Sequence, residues 1–140
     1  MNFALTDEQQ LIQDTVARFI SDNYDLEARI AIVSSKTGFS DAHWSTMAEL
    51  GWLGLPFAET DGGFGGSQID TMLLMEQFGK GLVAEPFFAS VVLGGGALKR
   101  SSNTDLKTAM LPGVIDGSRQ LALAYAEEQA RFDLHDITTT

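Results

Sequence analysis

The chain has 140 residues, 44% of them hydrophobic, enough for one core of ordinary domain size. Nineteen acidic residues against nine basic ones give a formal charge of −10, and the bases are scattered, which argues against nucleic acid but leaves room for a phosphate-bearing small ligand held by backbone amides or helix N-termini. With no cysteine there is no disulfide framework, thiolate nucleophile or cysteine zinc site, and a reducing compartment is expected.

The opening Met1-Asn2-Phe3-Ala4-Leu5 lacks the basic start and apolar stretch of a signal peptide, and no run reaches the roughly 18 apolar residues of a spanning helix. The expectation is a cytoplasmic protein without a membrane span. Thr6-Asp7-Glu8-Gln9 has the form of a capping box and predicts a helix start, with Ile12, Val16, Phe19 and Ile20 at helical spacing behind it. The period weakens after Asn23; Leu26, Ile30 and Val33 either prolong the helix or form a second one.

Ser40 is the next cap, before a short helix carrying Trp44, Met47 and Ala48 that Gly51 stops. Residues 52–66, with Pro56 and Gly62-Gly63-Phe64-Gly65-Gly66, predict an irregular loop folded over the core. Ser67 caps a helix with Ile69, Met72, Leu73 and Phe78 that ends near Gly79 and Gly81. Pro86 suits the first turn of another, whose residues 87–98 are almost entirely apolar and therefore predicted to be buried on several sides. Gly94-Gly95-Gly96 inside it costs about 1 kcal/mol per glycine relative to alanine, a cost that close approach of a neighbour, a ligand or a break in the helix would explain. Thr104 is the expected cap of a last helix through Leu106, Ala109, Met110 and Val114 to Gly117. The alternating run Leu121-Ala122-Leu123-Ala124-Tyr125-Ala126 then predicts a strand, which needs partners that the following residues do not supply, so residues 119–140 read as the opening of a second domain and the chain as a fragment.

Little catalytic chemistry stands out. The glycine run does not complete a dinucleotide fingerprint, and Gly79-Lys80-Gly81 is not a phosphate loop. His43 and His135 have no second histidine at ligand spacing, so no metal site is expected. Glu127 and Glu128 would point to opposite faces of a strand. The Met and Phe residues at 72, 75, 78, 87 and 88 are read as core packing, with a minority available to line an apolar slot.

Taken in order, the segments resemble the N-terminal helical domain of acyl-CoA dehydrogenases from Phe3 to the last residue. The likeness rests on Leu5-Thr6-Asp7-Glu8-Gln9, on Glu49-Leu50-Gly51-Trp52-Leu53-Gly54-Leu55-Pro56 and on Asp61-Gly62-Gly63-Phe64-Gly65-Gly66-Ser67. It also rests on Glu76-Gln77-Phe78-Gly79-Lys80-Gly81, similar to the family's Glu-Glu-Leu-Gly-Arg-Gly, and on residues 107–117, similar to its Lys-x-x-x-Leu-Pro-x-x-x-x-Gly. The resemblance implies a mainly α fold, a helical bundle over 1–118, with a short β segment in 119–140 that opens the family's middle β domain.

It further implies FAD as cofactor and an acyl-CoA substrate. The family's reaction is α,β-dehydrogenation, with electron-transfer flavoprotein or a similar acceptor and a homo- or hetero-oligomeric assembly. The flavin would lie along Leu123, Ala124, Tyr125, Ala126 and Phe132, the acyl chain along Ala89, Ser90, Leu93 and Phe132. Where the family reads roughly Thr-Glu-Pro-Gly-Ala-Gly-Ser-Asp, this chain has Ala126-Glu127-Glu128-Gln129-Ala130-Arg131-Phe132-Asp133, so Ala126 and Phe132 replace two hydroxyl residues. The family's catalytic glutamate belongs to a C-terminal helical domain, so no catalytic residue is assigned here and the isolated chain is expected to be inactive and sticky or oligomeric. The alternatives are a non-catalytic partner subunit of a heteromeric dehydrogenase and a helical interaction module without ligand.

Overall fold

A computed structural model describes residues 4–131 and 133–139. The first helix, α1 (Asp7–Asn23), starts with the capping box: the Thr6 hydroxyl accepts from the Gln9 amide at 3.2 Å and the Gln9 side chain accepts from the Thr6 amide at 3.1 Å. Gln9 also donates to Asp70 Oδ1 at 3.0 Å, joining this cap to that of α4 (Gln68–Gly81), where the Ser67 hydroxyl and the Asp70 carboxylate close a second box. The two helices therefore pack side by side with their starts in register.

Beyond Asn23 a separate helix forms, α2 (Leu26–Val33), because Asp25 takes extended backbone and accepts from the Ala28 amide at 2.7 Å. It buries none of its residues fully. Helix α3 (Asp41–Glu49) is capped by Ser40 and stopped by Gly51, whose φ of +77° suits glycine. The loop that follows folds back on itself around a short 3₁₀ turn (Glu59–Asp61). Its amides at Phe64, Gly65 and Gly66 bond to the carbonyls of Gly54, Phe57 and Leu55, and a Cβ at Gly63 would sit 2.4 Å from the Phe57 oxygen.

The chain re-enters the core through a π-helical segment (Phe88–Gly95) continued by α5 (Gly96–Arg100). The last helix, α6 (Thr104–Ile115), packs on the π segment and the 3₁₀ turn. Its cap is Asn103, which accepts from the Leu106 amide at 2.9 Å, rather than the expected Thr104, one residue later. Val16, Met47, Leu53, Phe57, Leu74, Phe87, Val91, Leu111 and Val114 form the fully buried centre. The rings of Phe19, Trp52, Phe78 and Phe87 run through it in successive tilted or edge contacts of 5.2–5.9 Å between centroids.

The architecture is mainly helical, as expected, but the β segment is not: among the described residues there is no strand. The run 121–126 takes up no regular secondary structure and has no ladder partner. Leu121 bonds to a helix side chain, the Tyr125 amide turns back to the Leu123 carbonyl at 3.1 Å, and residues 127–130 enter a turn. A strand exists only where a neighbour completes its hydrogen bonds, and alternation of side chains alone does not provide one. Among the described residues no helix is long and apolar enough to cross a membrane.

Candidate functional site

Pro86 cannot donate a backbone hydrogen bond and fixes φ near helical values, so it starts the π segment cleanly. Phe87 then drops into the core, and Phe88 emerges half exposed. Extended i to i+5 turns of this kind are rare and concentrate at functional sites. The glycines within it now have a packing reason. A Cβ on Gly95 would meet Phe57 Cζ at 2.6 Å, and one on Gly94 would meet Leu121 Cβ at 2.5 Å. Ser90 is fully buried, and its hydroxyl accepts from the Leu121 amide at 2.9 Å, so Ser90 and Gly94 together seat the tail on the segment.

Between tail and segment lies a cavity of about 700 Å³, walled by Phe88, Leu93, Leu123, Ala124, Tyr125, Leu134 and Ile137, with Glu127 and Thr139 at its polar edge. Four residues named from sequence, Leu93, Leu123, Ala124 and Tyr125, meet there. Of the others, Ser90 lies beneath as the tail's anchor, while Ala89 and Ala126 are exposed outside the wall. Phe132 lies outside the described residues.

The core reading of the Met and Phe group holds for Phe78 and Phe87 but not for Met72 and Phe88, which are 56% and 52% exposed. Both border a second cavity of about 340 Å³ between α4 and the π segment, with Met75, Val92 and Lys99. Phe88 thus stands between two apolar spaces, a role invisible in sequence because helical spacing does not say which side of a helix a neighbour will cover.

Glu127 is the acidic group at the large cavity. Thr138 donates to it through its hydroxyl at 2.7 Å and its amide at 2.9 Å, Gln129 donates through its side chain and the Thr139 amide at 3.1 Å. These donors, the Thr138 hydroxyl foremost, hold its pKa far below the carboxylate range, so it is a poor proton acceptor. A different carboxylate, Glu85, is buried one residue before Pro86. It accepts from the Tyr24 hydroxyl and, at 3.1 Å, from the Ser40 amide, and His43 Nδ1 lies 3.6 Å away. Burial raises the pKa of Glu85 and lowers that of His43. No pattern in the sequence marks this cluster, since Glu85 lies 45 residues from Ser40 and 61 from Tyr24. Among the described residues no group of three or more His, Cys, Asp or Glu is placed to hold a metal ion.

A family model described as acyl-CoA dehydrogenase, N-terminal domain, matches residues 6–118. The chain is 31% identical over 142 residues to benzylmalonyl-CoA dehydrogenase of Aromatoleum aromaticum, spanning 100% of this chain and 37% of that protein. It is 29% identical to acyl-CoA dehydrogenase FadE12 of Mycobacterium tuberculosis, across 99% of this chain and 36% of that one. Thus it spans little more than a third of these curated relatives. Among solved structures, the FAD complex of PigA superposes with a TM-score of 0.82 at 26% identity over 98% of this chain and 36% of that chain. The ChsE4-ChsE5 complex of Mycobacterium tuberculosis superposes at 0.84 with 24% identity over 94% and 36%, a likeness of fold alone.

Proposed function

The chain belongs to the acyl-CoA dehydrogenase family, whose N-terminal domain it carries, and from that premise we propose that it forms the helical wall of an FAD-dependent enzyme that desaturates an acyl-CoA thioester between its α and β carbons. The observation that carries this reading is the apolar cavity where the π segment meets the tail. Its volume falls within the usual range for small-molecule pockets, and its walls are side chains that favour hydrocarbon over water.

On this reading Leu93 and Phe88 lie along the acyl chain and exclude water from it, and Ser90 serves the site by holding Leu121. Residues 119–140 lead into the family's middle β domain, where the run 121–126 gains a sheet neighbour. The residues fit a flavin in one respect: the exposed run 123–126 sets main-chain polar groups beside apolar side chains, as a ring with one polar and one apolar edge requires. The Tyr125 amide and the Leu123 carbonyl bond to each other, so the remaining main-chain groups of Leu123, Ala124, Tyr125 and Ala126 would hold the ring. When bound, the flavin supplies the hydride acceptor. Glu127, held ionised by four donors, serves as a fixed negative group at the cavity edge rather than as a base.

A second reading, a non-catalytic subunit paired with a competent chain, is favoured by Ala126, which has no hydroxyl where the family's pattern has one. One experiment separates the two: purify the natural protein with whatever subunits accompany it and titrate it anaerobically with acyl-CoA thioesters. A yellow protein whose visible flavin band bleaches supports the first reading when the flavin sits on this polypeptide. A colourless polypeptide beside a yellow partner supports the second, and no flavin on either defeats both.

A further inference from the structure

Phe88 leaves the core between two buried polar anchors, Ser90 on one side and Glu85 on the other. The Ser90 amide bonds to the Pro86 carbonyl and the Phe87 amide to the Glu85 carbonyl, each at 2.8 Å, so residues 85–90 are tied together through the backbone. Glu85 fastens that stretch to two other parts of the fold, the end of α1 and the start of α3. Tyr24 at the end of α1 donates its hydroxyl, the N-cap residue Ser40 of α3 donates its amide, and His43 on α3 approaches from the same side. A buried carboxylate is costly unless fully partnered, and hydrophobic side chains would cover this spot at less cost in desolvation. Its presence where the chain turns into the π segment points to a positional role.

We propose that Glu85 is a positioning residue, whose bonds to Tyr24 and Ser40 set where the π segment begins and so where Phe88 stands between the two cavities. The proposal rests on the reading that this cavity receives the acyl chain. It deepens that reading by assigning control of the cavity wall to a cluster remote from the ligand. The groups facing Glu85 are Tyr24 from α1, His43 from α3 and, across a further cavity, Arg29 from α2, whose Nε donates to the Leu82 carbonyl. The α4 residues lining that cavity, Met75, Phe78 and Gly79, carry no titrating group.

Amide exchange on the whole chain, read by mass spectrometry for residues 86–95 against α1 and α4, tests this. Glu85→Gln keeps the shape but removes the charge and turns one of the two accepting oxygens, Oε1 for Ser40 and Oε2 for Tyr24, into an amide donor, and Tyr24→Phe removes one donor. Both variants are expected to speed exchange of 86–95 by about tenfold, once corrected for intrinsic rates, with α1 and α4 unchanged. Lowering the pH acts on that protection in two opposing ways, because burial disfavours a protonated His43 and favours a protonated Glu85, and in Glu85→Gln only the His43 part remains. Equal acceleration along the whole chain, or no acceleration in either variant, overturns the proposal. If Glu85→Gln fails to fold, Tyr24→Phe decides alone. Adding octanoyl-CoA to the wild type separates the two claims: absence of protection at 88–93 counts against the acyl-chain reading and leaves the exchange comparison to judge the positioning role.

Discussion

Replacing Gly94 by alanine separates the tail from the helical core. The new Cβ would lie 2.5 Å from Leu121 Cβ, against 3.4 Å at the inner limit of ordinary contact, so the tail retreats by about 0.9 Å. Leu121 cannot absorb this by rotating its side chain, because the clash is at the carbon attached to its backbone. The same retreat stretches the 2.9 Å bond from the Leu121 amide to Ser90 beyond hydrogen-bonding range. Losing that bond costs about 1 kcal/mol, and leaving the buried Ser90 hydroxyl unpaired raises this to about 1–3 kcal/mol, borne by the tail. Within the helix the substitution gains up to about 1 kcal/mol. The core should therefore hold its melting temperature to within a few degrees, at roughly 3–5 °C per kcal/mol for this size. By amide exchange in nuclear magnetic resonance, the Leu121 amide is expected to exchange at least tenfold faster while those of Val16 and Leu74 are unchanged. Undiminished protection at Leu121, or equal acceleration in the core, refutes the seating of the tail on Gly94 and Ser90.

Gly95→Ala acts on the core instead. Its Cβ meets the buried Phe57 ring at 2.6 Å, an overpacking of about 1–3 kcal/mol that helix propensity offsets by about 1 kcal/mol, so the urea midpoint should fall; an unchanged or higher midpoint contradicts the packing. Acidification has two opposing effects. Burial lowers the pKa of His43, so its contribution is full above 6.5 and is lost as pH falls through the folded value; His43→Gln should flatten that loss in denaturant midpoints, and an identical slope would rule it out. Burial raises the pKa of Glu85, so its contribution is full below 4.5 and is lost as pH rises through the folded value, and Glu85→Gln should flatten this acid-side gain. Restoring a hydroxyl with Ala126→Thr should tighten flavin binding about threefold to tenfold in the natural protein, read by flavin fluorescence, whereas unchanged affinity denies that position a flavin contact.

The helix starts were legible because capping is local: Thr6 with Gln9 and Ser67 with Asp70 close within four residues, whatever the rest of the chain does. Gly51 was legible for the same reason. The last cap slipped by one residue because Asn103 and Thr104 are both competent caps, and only the path of the chain chooses between them. The strand was misread because alternation in 121–126 describes a face, and a sheet requires a second chain segment to face. The cavity was half legible. The resemblance named Leu93 for the acyl chain and 123–125 for the flavin, and the structure sets all four on one cavity, but Phe88 passed for core, since a helix apolar all round hides which of its residues the neighbours leave uncovered. Glu85 gave no signal, because a buried carboxylate looks like a surface one until Tyr24, Ser40 and His43 are seen around it.

The central claim is that the π segment and the tail border the acyl chain of a thioester substrate. An acyl-CoA carrying a photoreactive diazirine on its acyl chain, irradiated with the natural protein and mapped by peptide mass spectrometry, tests it directly. The account predicts labelling at Phe88, Leu93, Leu123 or Tyr125, suppressed by excess unlabelled thioester. Competed labelling confined to another surface, such as the groove of Leu11, Leu50 and Phe64 between α1 and the glycine-rich loop, would contradict it.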